Sequence, residues 1–181
     1  IGRSKEILTD KTRMKIHWLC GVDKDAVISD PNLETVYELP LIFEKEGLRK
    51  VISRKLNLRI RNDLEEWKRL VERIKNPRKS INIAICGKYT ELADSYLSIK
   101  EALVHAGAHL DTKVNIKWIE TTEIKDVKES LKEVNGIIVP GGFGGRGAEG
   151  KISVIRYARE NNIPFLGLCY GLQLAVIEFA R

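Results

Sequence analysis

The chain has 181 residues, of which 43% are hydrophobic and 31% charged, with a formal net charge of +6. That mixture is too apolar for a disordered tail and too charged for a membrane-embedded chain, and no apolar run approaches the ~18 residues of a spanning helix. Ile1-Gly2-Arg3-Ser4-Lys5 lacks the apolar stretch of a secretory leader, and Cys20, Cys86 and Cys169 are too few and too widely spaced for a disulfide framework, so a reducing cytoplasm is expected.

Taken in chain order, the first region is irregular. Thr9–Leu19 reads as a helix, Ala26-Val27-Ile28 as a brief strand, and Pro40–Leu56 as one or two helices around Gly47. Asn62–Lys75 is an amphipathic helix with Leu64, Trp67, Leu70, Val71 and Ile74 on its apolar side, and Asn76–Ser80 follows as a linker. Residues 1–80 carry 19 Lys and Arg against 13 Asp and Glu, whereas residues 81–181 carry 12 of each. The excess is densest over residues 49–79, with 12 basic and 4 acidic side chains. A solvated helix face and linker is the simpler reading of such a run, with a phosphate-binding stripe as its rival.

The second region is rhythmic. Ile81–Cys86 is a strand, and Asp94 is placed to cap a helix running to Ala106. Val114–Ile119 is a strand, Asp126–Val134 a helix and Gly136–Val139 a strand. Glu149–Asn161 is a helix, Pro164–Leu168 a strand and Gly171–Arg181 a helix. Strands alternating with helices predict an α/β fold, a doubly wound and mostly parallel sheet with sites at the carboxyl ends of its strands.

The sharpest feature is Pro164-Phe165-Leu166-Gly167-Leu168-Cys169-Tyr170-Gly171-Leu172-Gln173. An apolar strand runs into G-x-C-x-G and then into a helix, which is the cysteine form of a nucleophile elbow. Gly167 and Gly171 leave room for a tight turn, and Cys169 stands at a helix N-terminus, which favours a thiolate. Cys20 and Cys86 have no such setting and read as inert buried cysteines. A neighbouring strand, Gly136–Val139, releases the run Gly141–Gly147. Its backbone N–H groups, with that of Tyr170, suit the oxyanion of a tetrahedral intermediate. A phosphate cradle is the alternative, but Ala148 stands where a P-loop needs lysine. The thiol also needs a base. Of His17, His105 and His109, none lies at a strand end, and the last two, one helical turn apart without a third ligand, read as surface histidines rather than a metal pair.

The run P-G-G-F-G-x-R-G-x-E-G-K at Pro140–Lys151, followed by Tyr157–Arg181, closely resembles CTP synthase. The elbow alone points to a class I glutamine amidotransferase; the longer run narrows it to the CTP synthase branch. The likeness continues through Ile85–Tyr89 and, in the first region, through Ala26–Ile28 and Val36–Leu41, and so covers nearly the whole chain. It implies residues 1–60 as the end of a synthetase (amidoligase) domain, 61–80 as a linker, and 81–181 as the first half of a glutaminase domain. It further implies a glutamine-hydrolysing ligase that makes CTP from UTP, ATP and glutamine. ATP and Mg2+ act at the synthetase part, ammonia passes internally from a cysteine thioester, and GTP serves as activator in a cytoplasmic homotetramer. No nucleic acid or membrane partner is expected.

Carried over position by position, the resemblance makes Cys169 the nucleophile, Gly142 and Tyr170 the oxyanion N–H donors, and Phe143 part of the glutamine pocket. Tyr170, Gly171, Leu172 and Gln173 would contact glutamine, with Gln173 as the polar group. In the synthetase part Lys15 would bind the phosphates of UTP or CTP. Arg3 and the segment Pro31-Asn32-Leu33 would lie at the ATP site, and no metal ligand is assigned. Asn32-Leu33 stands where the family commonly has Asp-Val, and Tyr170 where leucine is more common. The synthetase's phosphate loop and metal carboxylates are expected before Ile1, and the His and Glu of the triad after Arg181, so the 181 residues alone are expected to be inactive. Three rivals stand beside this reading: a glutaminase domain of another class I amidotransferase, a basic nucleic-acid-binding module built on residues 49–79, and a cysteine-elbow hydrolase or chaperone of the same sheet, against which Gln173 and the P-G-G-F-G loop argue.

Overall fold

The computed structural model describes residues 1–142 and 144–181, and of Ala93 the backbone alone. The expected contribution of Phe143 to a glutamine pocket therefore lies outside the described residues. The chain divides into two units, Ile1–Lys75 and Asn76–Arg181.

In the first unit, β1 (Gly2–Arg3) precedes α1 (Asp10–Cys20). Thr9 starts this helix by accepting a hydrogen bond from the Thr12 N–H, and Gly21 ends it at φ +63°. The strand expected at Ala26–Ile28 is displaced. Lys24–Ala26 forms a 3₁₀ turn, Val27 and Ile28 are buried, and β2 is the dipeptide Ser29–Asp30, paired in parallel with β1. The reason is the anchoring of Ser29. Its hydroxyl accepts from Leu8 N–H at 3.1 Å and from the Arg13 guanidinium at 2.8 Å, while its N–H donates to Glu46 at 3.0 Å. Gly47, at φ +84°, separates α2 (Leu39–Lys45) from α3 (Leu48–Leu56). Within the stretch expected as a linker, α4 (Glu65–Lys75) belongs to the first unit and buries Val71; Trp67 donates to the Tyr37 carbonyl at 2.7 Å.

Much of the basic run meets carboxylates close at hand. Arg49 pairs with Glu44, Arg54 with Asp25, Lys55 with Asp23, Lys68 with Glu65, and Lys75 with Glu38. Pairs at exposed sites contribute little each, but they lower the positive potential that a polyanion would meet.

The second unit is built of β3 (Lys79–Gly87), α5 (Leu97–His109), β4 (Thr112–Glu120), α6 (Val127–Ser130), β5 (Gly136–Val139), α7 (Ala148–Glu160), β6 (Phe165–Gly167) and α8 (Tyr170–Ala180). All strand pairings are parallel, in the order β4-β3-β5-β6. The crossover through α5 runs one way along the sheet, and those through α6 and α7 run the other. Right-handed connections therefore place α5 on one face and α6 and α7 on the opposite one. The chain reverses direction between β3 and β5, so their carboxyl ends open a crevice at the switch point.

Alternation along β3 directs Ala84 and Cys86 to the face covered by α7, where Ile137, Val139, Ile152, Ile155, Ala158 and Leu174 complete a core. Every residue of β5 is buried, as befits an inner parallel strand. Each fully buried aliphatic side chain here contributes about 1.5–3 kcal/mol of transfer free energy.

Two expectations are corrected in this unit. Asp94 does not cap α5: Ala93–Tyr96 forms a 3₁₀ turn and the helix begins at Leu97 without a side-chain cap. Tyr96 is held instead by the Lys88 N–H, which donates to its hydroxyl at 3.3 Å, and by stacking on Trp118. The helix expected over Asp126–Val134 stops at Ser130. Glu133 turns at φ +63°, and the Asn135 N–H donates to the Asn82 carbonyl at 2.7 Å, which brings the chain back for β5.

Candidate active site

Cys169 sits between β6 and α8 at φ 54°, ψ −110°, a conformation that costs energy for any non-glycine residue. The surrounding backbone holds it there. The Leu168 N–H donates to Val139 O at 2.9 Å, and the Gly171 N–H to Leu168 O at 2.9 Å. Leu172 and Gln173 both donate to Cys169 O, at 3.1 and 3.2 Å. A β-carbon on Gly171 would lie 2.0 Å from Val139 O, and one on Gly167 2.8 Å from the Leu172 nitrogen. The two glycines of the motif are thus fixed by close approach, as the spacing predicts. The side chain of Cys169 is exposed, whereas Cys86 is fully buried and its thiol is pushed up to about 12 by burial. Cys20, expected to be buried, is exposed at the end of α1, because that helix buries none of its residues within its unit.

The loop after β5 meets the elbow. A β-carbon on Gly141 would stand 3.6 Å from Cys169 Sγ, so the Gly141 backbone lies beside the sulfur. Gly142 follows at φ +134°, a conformation open to glycine. The N–H groups of Gly171, Leu172 and Gln173 turn back into the elbow, and that of Tyr170 directly follows the sulfur-bearing residue. The structure thus brings together Cys169, Gly142, Tyr170, Gly171, Leu172 and Gln173 at the carboxyl ends of β5 and β6. Leu172 and Gln173 are exposed on the first turn of α8.

Two lysines flank the loop. Lys88, after β3, approaches Gly142 and Gly144: a β-carbon on Gly142 would lie 3.4 Å from its Cε, and one on Gly144 3.9 Å from its Nζ. Lys151, on the first turn of α7, is 1% exposed, and its ammonium donates to Pro140 O at 3.2 Å and Gly141 O at 3.5 Å. Its Nζ lies 5.7 Å from the centre of the Tyr170 ring. Sequence reasoning assigns Lys151 no role; the only signal is its place at the end of P-G-G-F-G-x-R-G-x-E-G-K. Burial, and then the charge of Lys88, push the Lys151 ammonium below the ordinary lysine range, while Glu120 and the thiols of Cys169 and Cys86 oppose this.

Beyond Lys88, a cavity of about 360 Å³ is lined by Tyr89, Glu120, Thr122, Glu123 and Arg146 among others. Burial works to raise the Glu120 carboxyl, but hydrogen bonds from Thr122 and Thr90 prevail and hold it below the usual range. His105 and His109 are exposed on the second half of α5, toward the amino ends of the strands. They stand at the opposite edge of the sheet from Cys169.

In the first unit, Arg3 donates to Pro31 O at 2.6 Å and pairs with Asp30 at 3.1 Å. Arg3, Asp30, Pro31, Leu33, Val36 and Leu39 line a cavity of about 210 Å³, and Asn32 is exposed beside it. Lys15 is exposed on α1 and is not part of that lining. Among the described residues no group of three or more His, Cys, Asp or Glu side chains could hold a metal ion, and no helix is long and apolar enough to cross a membrane.

Comparison with known proteins matches residues 91–181 to the family model for glutamine amidotransferase class-I and residues 1–58 to that for the CTP synthase N-terminus. The whole chain aligns with CTP synthase of Methanocaldococcus jannaschii at 54% identity and of Borreliella burgdorferi at 52%, covering 35% and 34% of those proteins. The chain therefore spans about a third of the length of these relatives. Among solved structures it resembles the glutaminase domain of Trypanosoma brucei CTPS with bound acivicin, with a TM-score of 0.52 and 36% identity over 56% of this chain and 40% of that one.

Proposed function

The chain belongs to the class I glutamine amidotransferase family, and from that premise we propose that it carries the nucleophile half of a glutaminase site, joined to the end of a CTP synthase amidoligase domain. The observation that carries this reading is Cys169 on its strained elbow, with the Gly141 backbone beside its sulfur at the carboxyl ends of β5 and β6. The thiolate attacks the side-chain carboxamide carbon of glutamine, and the carbonyl π pair moves to oxygen. The N–H groups of Gly142 and Tyr170 hold that oxyanion. As the C=O bond re-forms, the C–N bond breaks and its electron pair leaves with nitrogen, which takes a proton to depart as ammonia. A thioester remains, and water releases glutamate from it. Tyr170, Gly171, Leu172 and Gln173 are assigned to glutamine, Gln173 as its polar contact. The proton carrier is neither His105 nor His109, which face the other edge of the sheet; it is assigned to the part of the relatives' length that these residues do not span.

For the whole protein the proposed reaction is the ATP-dependent amination of UTP to CTP. The small cavity at Arg3, Pro31 and Leu33 suits the adenine edge of ATP, with Asn32 beside it, and Lys15 is assigned to the phosphates of UTP or CTP. The described residues do not fit a Mg2+ site, so no step is derived through that ion. GTP activation and a homotetramer belong to the same proposal.

The test is alkylation by an electrophilic glutamine analogue. The reagent is expected to label the peptide containing Cys169 and to leave a Cys169→Ala variant unlabelled; labelling that persists in the variant would sink the nucleophile assignment.

A further inference from the structure

The glutaminase reading as it stands gives Lys151 no role, yet its burial is hard to explain by packing. A methionine of similar length would fill the same space without the cost of removing an ammonium from water. What the lysine supplies is donors. Its Nζ reaches two successive carbonyls, Pro140 O and Gly141 O, at the point where β5 becomes the glycine loop. In a trans peptide the C=O and the following N–H point in opposite directions. Anchoring Gly141 O on the Lys151 side therefore sends the Gly142 N–H away from the lysine. The same peptide adjoins the Gly141 backbone that lies against Cys169 Sγ, so its orientation decides whether the sulfur faces a donor or an acceptor. With glycine on both sides, and Gly142 at φ +134°, that peptide has no β-carbon of its own to restrict its orientation.

We propose that Lys151 is a positioning residue that locks the Gly141–Gly142 peptide with its carbonyl inward, presenting the Gly142 N–H to the oxyanion formed at Cys169. The proposal rests on the glutaminase reading of Cys169 and is tested so that the two fail separately. The charged and titratable groups facing the ammonium are Lys88 from the end of β3, Glu120 from the end of β4, Cys86 within β3, and Cys169 and Tyr170 from the elbow.

Two reagents separate the roles on the 181-residue chain. A chloroketone analogue of glutamine develops negative charge on its carbonyl oxygen as the thiolate attacks, whereas iodoacetamide reacts by direct displacement of iodide and forms no oxyanion. Labelling of the Cys169 peptide is followed by mass spectrometry. In Lys151→Met the chloroketone rate is expected to fall about 100-fold relative to the iodoacetamide rate, as for loss of one oxyanion donor. The thermal midpoint should be unchanged or higher, and Lys151→Arg should recover part of the lost ratio. Lys151→Leu gives the same comparison if the methionine variant does not fold. Equal slowing with both reagents, an unchanged ratio, or failure of both apolar variants to fold would each overturn the proposal and leave a structural lysine. If instead the unmutated chain reacts with the chloroketone no faster than Cys169→Ser does, the underlying reading of Cys169 fails first.

Discussion

At the scale of single residues, the chain's three cysteines show how far environment overrides identity. Cys169 is exposed on a strained turn, Cys20 is exposed at a helix end, and Cys86 is sealed in the core with its thiol pushed up to about 12. A disulfide-exchange reagent at pH 8 is therefore expected to titrate two thiols in the folded chain and three in denaturant; rapid reaction of all three without denaturant would contradict the burial of Cys86. The sign of the pH effect follows. Because the folded value lies above the ordinary value of 9.0, the unfolded chain ionises first, and the stability contributed by the neutral Cys86 is lost as the pH rises from about 9 toward 12. The nucleophile is legible in the sequence because glycines two residues on either side encode a local backbone requirement. The exposure of Cys20 and the burial of Lys151 are not. Lys151 reads as an ordinary first-turn lysine until β5, its loop and Tyr170 are brought together in space.

Among elements, the same division between local and distant causes holds. The strands of the second unit and the helices α1, α7 and α8 follow from periodicity and from the glycine and threonine signals near their ends, whereas β1 and β2 do not. A local capping rule puts Asp94 at the start of α5, but Tyr96 is drawn to Lys88, just after β3, and to Trp118 on β4, and that tertiary contact sets where the helix begins. The early stop of α6 likewise answers to Asn82 on β3. The packing of α7 on α8 centres on Glu178, whose buried carboxylate takes both Arg159 Nε and Nη2, at 2.9 and 2.8 Å, and Arg156 at 3.4 Å. The Arg159 hydrogen bonds hold its carboxyl below the ordinary 4.5. A depressed carboxyl stabilises the fold above its unfolded value and ceases to do so as the pH falls through the folded one. Glu178→Gln should accordingly lower the thermal midpoint by several degrees at pH 7, and the two proteins should converge as the pH drops well below 4.5; a constant difference across that range would assign the effect to shape rather than charge.

At the scale of the molecule, the second unit distributes its pairing unevenly. The strands β3 and β4 run side by side from Lys79–Thr112 to Gly87–Glu120, while β6 pairs with β5 only from Ile137–Phe165 to Val139–Gly167. Opening free energy scales with the contacts that must be broken together. Amide hydrogens of Ile83 to Cys86 are thus expected to exchange far more slowly than those of Leu166 and Leu168; uniform protection across the sheet would show that it opens as one body. The short pairing of β6 has a consequence for durability. A scaffold of long strands can stay folded while its least-paired margin comes apart, and the margin is where the reactive sulfur stands. On gradual warming, reactivity toward a glutamine-shaped reagent should then disappear at a lower temperature than the helical signal, so that the working lifetime of the site is shorter than the lifetime of the fold that carries it.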